Sequence, residues 1–232
     1  MIKKGSLIIF VFLSINTSCI SVYRFMGGFK NPKVETKTSI KNFVKNSELD
    51  DAYLNLLFDK VPKDEIKKIT GNMFLSKLII YDREGKRKCY DGNETCEAVQ
   101  LAQIAEDYEH LISDCNDTID RQNYYYFDRL DSLLAHTVSL ENKKITKRDL
   151  PAADYYFMYN WSIYAQSKKI TFEDYLMFKD WLKKINKKVF IIKINNDLRE
   201  DWGLKKGKKM KMLIRKTGHK KYDMKFGKLP LK

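Results

Sequence analysis

Cys19, Cys89, Cys96, Cys115, His110, His136 and His219 are the side chains best suited to nucleophilic, redox or metal chemistry in this 232-residue chain. A thiolate is both nucleophile and metal ligand, so cysteine spacing is informative. Cys89 and Cys96 flank the turn-prone Asp91-Gly92-Asn93, and a disulfide closing that turn is expected, with Cys115 left free. A Cys96–Cys115 bridge and a fully reduced set are the alternatives. Cys89, Cys96, His110 and Cys115 lack the closely spaced pair that zinc sites use, so no metal site is expected. The histidines fall on different elements, and no Gly-x-Ser-x-Gly elbow accompanies them. Asp64-Glu65 and Glu173-Asp174 sit at expected helix starts, where carboxylates complement the helix dipole. Gly203-Leu-Lys-Lys-Gly207 has neither the spacing nor the hydroxyl of a phosphate loop. These residues suggest no catalytic set and no cofactor.

Cys19 belongs to a different pattern. Lys3 and Lys4 precede the unbroken apolar run Leu7–Leu13, and small or polar residues from Ser14 to Ser18 lead into the cysteine. A basic segment, a short apolar segment and small residues form an export signal. Ending on cysteine, it resembles a bacterial lipoprotein signal peptide, although Asn16 stands where that family usually has leucine. The resemblance implies removal of residues 1–18 and lipid attachment at Cys19, giving a membrane-anchored protein on the periplasmic or outer-membrane side. A cleaved secretory signal or an uncleaved anchor are the other readings. No run of 18 apolar residues is present, which excludes an ordinary spanning helix.

The net charge of +14 is unevenly spread: residues 205–232 carry 12 Lys and Arg against one acid, and the other 204 residues are nearly neutral. Export disfavours a nucleic-acid partner, whereas anionic lipid heads could attract the basic end.

Residues 19–45 are polar and mixed, which suggests a flexible tether. Residues 46–149 suggest a mostly helical region. Leu49, Ala52, Tyr53, Leu56 and Leu57 have helical spacing; a hairpin is expected around Asp82–Gly85. A helix opened by Thr95 carries Leu101, Ile104, Tyr108, Leu111 and Ile112 on one stripe. Another should span about 123–139, including Tyr124-Tyr125-Tyr126.

Residues 150–232 carry the clearest pattern. Tyr155–Trp161 reads as a buried strand, Thr171 as the cap of a helix bearing Tyr175, Phe178, Leu182 and Ile185, and Val189–Ile194 as a strand covered on both faces. Strand, helix and strand in so short a span predict a parallel βαβ unit. Met210–Phe226 alternates around Gly218 and predicts a hairpin. The fold class is therefore α/β, and "YYFMYNWSIYAQS", "KVFIIKINND" and "KMKMLIRKTGHKKYDMKFG" together resemble the thioredoxin fold. The resemblance places the family's two cysteines at Tyr164 and Ser167 and its cis-proline at Met210. A phenol and a hydroxyl cannot exchange disulfides. It thus implies a redoxin-shaped binding or structural module without redox chemistry, with a contact surface at Trp161, Tyr164, Lys205, Lys206, Lys208 and Lys209 and an unidentified protein partner. A thiol oxidoreductase or other cell-envelope enzyme using Cys89, Cys96 or Cys115, and a basic hairpin that binds anionic lipid, are the alternatives.

Overall fold

The computed structural model describes residues 30–74, 78–94, 97–115, 127–164, 168–218 and 221–232. Its centre is a parallel trio. β6 (Tyr155–Trp161) and β7 (Val189–Asn195) pair in parallel, and α6 (Lys168–Leu182) connects them, as the βαβ pattern requires. On its other side β7 pairs in parallel with β1 (Leu54–Phe58). The antiparallel strands β2 (Ile80–Asp82), β3 (Arg87–Tyr90) and β4 (Ile112–Asp114) extend the sheet beyond β6, and β5 (Thr137–Ser139) closes it beyond β1. The strand order is β4-β3-β2-β6-β7-β1-β5.

Side-chain alternation divides the interior into two cores. Leu56, Phe58, Tyr156, Met158, Ile192 and Ile194 face one core, with α2 (Ile66–Gly71), α5 (Leu130–Ala135) and the segment around Leu198–Met210. Leu57, Phe157, Tyr159, Trp161 and Ile191 face the other, with α1 (Lys37–Lys45), α3 (Glu97–Glu106) and α6. A strand buried on both faces must be apolar almost throughout, which is why β7 was legible as one.

Residues 54–58 form a strand where a helix was expected. Leu54-Asn-Leu-Leu-Phe is a short apolar run whose helical appearance came from Leu49, Ala52 and Tyr53, which belong to the preceding loop. The expected mostly helical region therefore supplies five of the seven strands. The described part of the expected tether, residues 30–45, is folded instead: Thr36 caps α1 in a reciprocal capping box with Ser39, and Val34, Ile40 and Val44 are buried, while residues 19–29 lie outside the described residues. The expected helix through Ile112 breaks at Asp107; a single turn, α4 (Tyr108–Leu111), follows, and then β4. Of the helix expected over 123–139, residues 123–126, with Tyr124–Tyr126, lie outside the described residues, and from residue 127 on only α5 is helical before Thr137–Ser139 becomes β5. Thr171 lies inside α6 rather than at its cap. The C-terminal hairpin, β8 (Met212–Gly218) and β9 (Lys221–Phe226), forms a separate two-stranded sheet.

Cys89 bonds to Cys115, not to Cys96, which is not among the described residues. The reason is β4: pairing Cys89 with Ser113 brings Cys115 diagonally beside Cys89, with the Cα atoms 4.9 Å apart. Reading residues 108–112 as helix hid that strand. The bridge staples the β3–β4 edge, so Cys89→Ser is expected to lower the unfolding free energy by about 2–4 kcal/mol in urea titrations. A non-reducing peptide map should recover Cys89 joined to Cys115.

Candidate functional site

Open α/β sheets usually form ligand crevices at the carboxyl ends of their parallel strands. Here that corner is filled from within. Trp161, the last residue of β6, is fully buried and stacks on Phe43 of α1 at 5.6 Å. Tyr164 is 4% exposed, and its hydroxyl donates to the Thr70 carbonyl (2.8 Å) at the end of α2. Asn196 donates from its side chain to the Ile69 carbonyl (3.0 Å) and from its amide to the Trp161 carbonyl (2.9 Å). Both oxygens of Asp197 accept from the Ile163 amide (3.1 and 3.0 Å), and one accepts from the Asn195 side chain (2.7 Å). Met210 is fully buried, and its amide donates to the Pro32 carbonyl (2.8 Å). Peptide bonds among the described residues are trans, Met210 included.

Trp161 and Tyr164 are therefore interior side chains and not a contact surface: an aromatic loop at the end of a buried strand turned inward to fill the space between α1 and α2. Ser167 lies outside the described residues. Lys205, Lys206, Lys208 and Lys209 are exposed. Complete burial pushes the Asp197 carboxyl up to about 7, although hydrogen bonds from the Ile163 amide and Asn195 oppose the rise.

The opposite, amino-terminal end of the trio is open. A cleft of about 440 Å³ is lined by Asp50, Asp51, Tyr53, Asn55, Glu141 and Phe190, among others. The Tyr53 and Phe190 rings meet edge to face at 5.5 Å. Asn55 spends its amide N–H on the Leu49 carbonyl (2.9 Å), and its buried Oδ1 receives no donor.

Asp51 joins this cleft to the interior. Its Oδ1 accepts from Lys193 Nζ (2.6 Å), and its Oδ2 accepts from Lys179 Nζ (2.9 Å) and the Tyr175 hydroxyl (2.7 Å). The Lys193 side chain is wholly buried in β7; it also donates to the Leu49 carbonyl (2.7 Å) and lies over the Tyr175 ring at 5.4 Å. Burial drives the Lys193 ammonium below the ordinary lysine value, against the hydrogen bond and charge of Asp51. Burial would raise the Asp51 carboxyl, but hydrogen bonds from Lys193, Lys179 and Tyr175 prevail and hold it below the ordinary value. Sequence reasoning missed this cluster, yet the signal was present: Lys193 is the one charged residue within Val189–Ile194. A lysine inside a two-sided strand requires a buried acceptor.

At the other end of the sheet the buried Arg199 holds the exposed Asp201 carboxylate (Nε–Oδ1 2.8 Å) and the Phe58 carbonyl. The histidines are peripheral. His110 is exposed and paired with Asp107 (2.7 Å), His136 meets the Ser132 carbonyl (2.8 Å), and His219 lies outside the described residues. Among the described residues no three His, Cys, Asp or Glu side chains are placed to hold a metal ion.

Asp51→Ala leaves the Lys193 ammonium buried without its carboxylate and is expected to cost about 3–5 kcal/mol in urea unfolding. Asp51→Ala in a Lys193→Met background should cost much less; equal costs in the two backgrounds would show that the pair is uncoupled. Asp197 gives an opposite pH signature. Its folded value lies above its ordinary 3.8, so its contribution is fully present below about pH 4 and is lost as pH rises through about 7. The stability of the native chain relative to Asp197→Asn should therefore fall over that window; a difference independent of pH would contradict the assignment.

No family model matches the chain, and no curated protein and no solved structure matches it.

Proposed function

We propose that this is an exported, membrane-attached lipoprotein whose thioredoxin-like α/β domain serves as a non-catalytic binding or structural module. The observation that carries this reading is the closed corner after β6. Where a redoxin-shaped domain would present sulfur, Trp161 and Tyr164 pack inward and Asp197 fastens the loop to the end of β7. The parallel β6–α6–β7 unit supports the thioredoxin-like part, and an antiparallel hairpin, β2–β3, lies next to it in the sheet. That hairpin comes from residues 80–90 and not from the C-terminal segment. The Cys89–Cys115 disulfide suits an oxidising compartment, in keeping with the signal-like residues 1–18 and Cys19. It lies on β3, separated from β6 by β2, so it is placed as a staple for the edge and not at the loop corner.

A module of this kind needs an opening for its partner. The cleft beside β1 offers carboxylates, two half-buried rings and the unmatched Asn55 acceptor, which suit a donor-bearing, basic side chain.

Intact mass of the chain taken from membranes tests the reading. The expected species begins at Cys19, carries acyl chains and retains the disulfide; a mature chain that starts elsewhere or lacks acyl groups overturns the anchor. Disulfide-reductase turnover that disappears when Cys89, Cys96 and Cys115 are all replaced by serine would overturn the non-catalytic assignment in favour of an oxidoreductase.

A further inference from the structure

The described chain begins beside its most basic surface. The Lys30 amide donates to the Tyr164 carbonyl (3.3 Å), and residues 31–35 then run along the segment that carries the exposed lysines. The Val34 amide donates to the Lys208 carbonyl (2.8 Å), the Gly207 amide to the Val34 carbonyl (3.0 Å) and the Met210 amide to the Pro32 carbonyl (2.8 Å). The Met212 amide donates to Asn31 Oδ1 (2.9 Å), and Lys33 bridges Lys209. Lys33, Lys205, Lys206, Lys208 and Lys209 are therefore exposed around Lys30, the first described residue, which is exposed too. Lys205 is also tied to the Pro230 carbonyl (2.7 Å), which brings Lys228 and the exposed Leu231 into the same neighbourhood.

Of the carboxylates nearby, Glu35 alone meets a lysine of this face. Glu35 pairs with Lys33 (3.5 Å), Glu200 lies 3.6 Å from Lys232, and Asp201 is held by Arg199 and Lys37. Among the described residues none makes an ion pair with Lys205, Lys206, Lys208 or Lys209.

Chain length fixes where this surface can be. Eleven peptide steps separate Cys19 from Lys30, and at full extension they span at most about 40 Å. That is roughly the diameter of a domain of this size. A lipid on Cys19 would therefore let the far side of the sheet reach the headgroups only at full extension, and any shorter span keeps the basic face beside them. A cationic surface within a Debye length of anionic headgroups is drawn to them, each lysine adding to the attraction.

We infer that the face formed by Lys30, Lys33, Lys205, Lys206, Lys208 and Lys209 docks on anionic phospholipid of the membrane that anchors the chain. The inference rests on the Cys19 anchor proposed above for its geometry, and docking itself can be measured without the anchor. The lipid would then supply tethering and the lysines orientation, so that the cleft beside β1 has a fixed direction relative to the bilayer.

The test uses the full chain carrying Cys19→Ser, sedimented with phosphatidylcholine vesicles or with vesicles in which about a third of the lipid is phosphatidylglycerol. Any binding through the apolar residues 7–13 is common to both, so the difference between them reads the charge. Partition is expected to favour the anionic vesicles, to disappear in high salt and to fall at least tenfold, roughly, when Lys205, Lys206, Lys208 and Lys209 are all replaced by glutamine. Lys60, Lys63, Lys143 and Lys188, exposed elsewhere, supply a quadruple glutamine control of equal net charge. Circular dichroism and thermal unfolding verify that both variants fold. Equal losses in the two quadruple variants would overturn the inference, as would indifference to phosphatidylglycerol or tight binding to a short DNA duplex in its place. Acylated native protein with an indifferent Cys19→Ser chain refutes docking alone; an unacylated native chain whose variant still seeks anionic vesicles refutes the anchor alone.

Discussion

A lysine placed in the middle of a strand that is covered on both faces must have an anion brought to it. Lys193 sits in β7 between β6 and β1, with its side chain wholly out of water. An isolated ammonium there would be lost to desolvation, so the chain delivers Asp51, the Leu49 carbonyl and the face of Tyr175 to the same point. Asp51 lies in the loop before β1 and Tyr175 on α6, so one buried charge fixes the entry to β1, the seating of α6 and the position of the central strand together. Apolar packing alone would tolerate several arrangements of these elements, whereas an ion pair with a defined set of donors tolerates few.

The two ends of the parallel trio differ because of what each polar group faces. At the carboxyl end most partners are internal: Asn195 donates to Asp197, Asn196 to the Ile69 and Trp161 carbonyls, and Asp197 accepts from the Ile163 amide, while Asn196 Oδ1 and Trp161 Nε1 stay buried with no partner among the described residues. At the amino end Asp51 is shared between the interior and an open cleft, and Asn55 Oδ1 is likewise without a donor among the described residues. The corner where α/β proteins usually open a crevice is thus occupied by the inward-turned Trp161 and Tyr164, and the cleft lies at the other end of the strands.

The parts of this fold legible in the sequence were those in which each local pattern had one structural meaning. Tyr155–Trp161 and Val189–Ile194 are long, aromatic or β-branched runs, and the sheet needed both. Asp82–Gly85 is a turn whichever strands flank it, and Gly85 adopts the positive φ of 78° that glycine permits. The short strands were not legible. Leu54–Phe58, Ile112–Asp114 and Thr137–Ser139 have three to five residues each, too few for a period of two to be distinguished from a helical stripe, and each is fixed by a neighbour far away in sequence. The disulfide followed from one of those strands and was lost with it. The buried Asp51–Lys193 pair was half legible: the lysine announced the need, but its partner lies 142 residues away.

The strap of residues 31–35 lies against residues 198–212, so some of the first residues of the domain find their partners among the last. Contacts of such separation in sequence slow folding, because a long loop must close before they form. In the export proposed above, in which the amino end crosses the membrane first, the delay would have a direction. Until Lys208 and Met210 have followed, Val34 and Pro32 have nothing to pair with, and the sheet's central strand β7 has not arrived either. Under that proposal, completion of the domain would be deferred to the last moments of export, and the polypeptide would stay threadable for as long as it was being threaded.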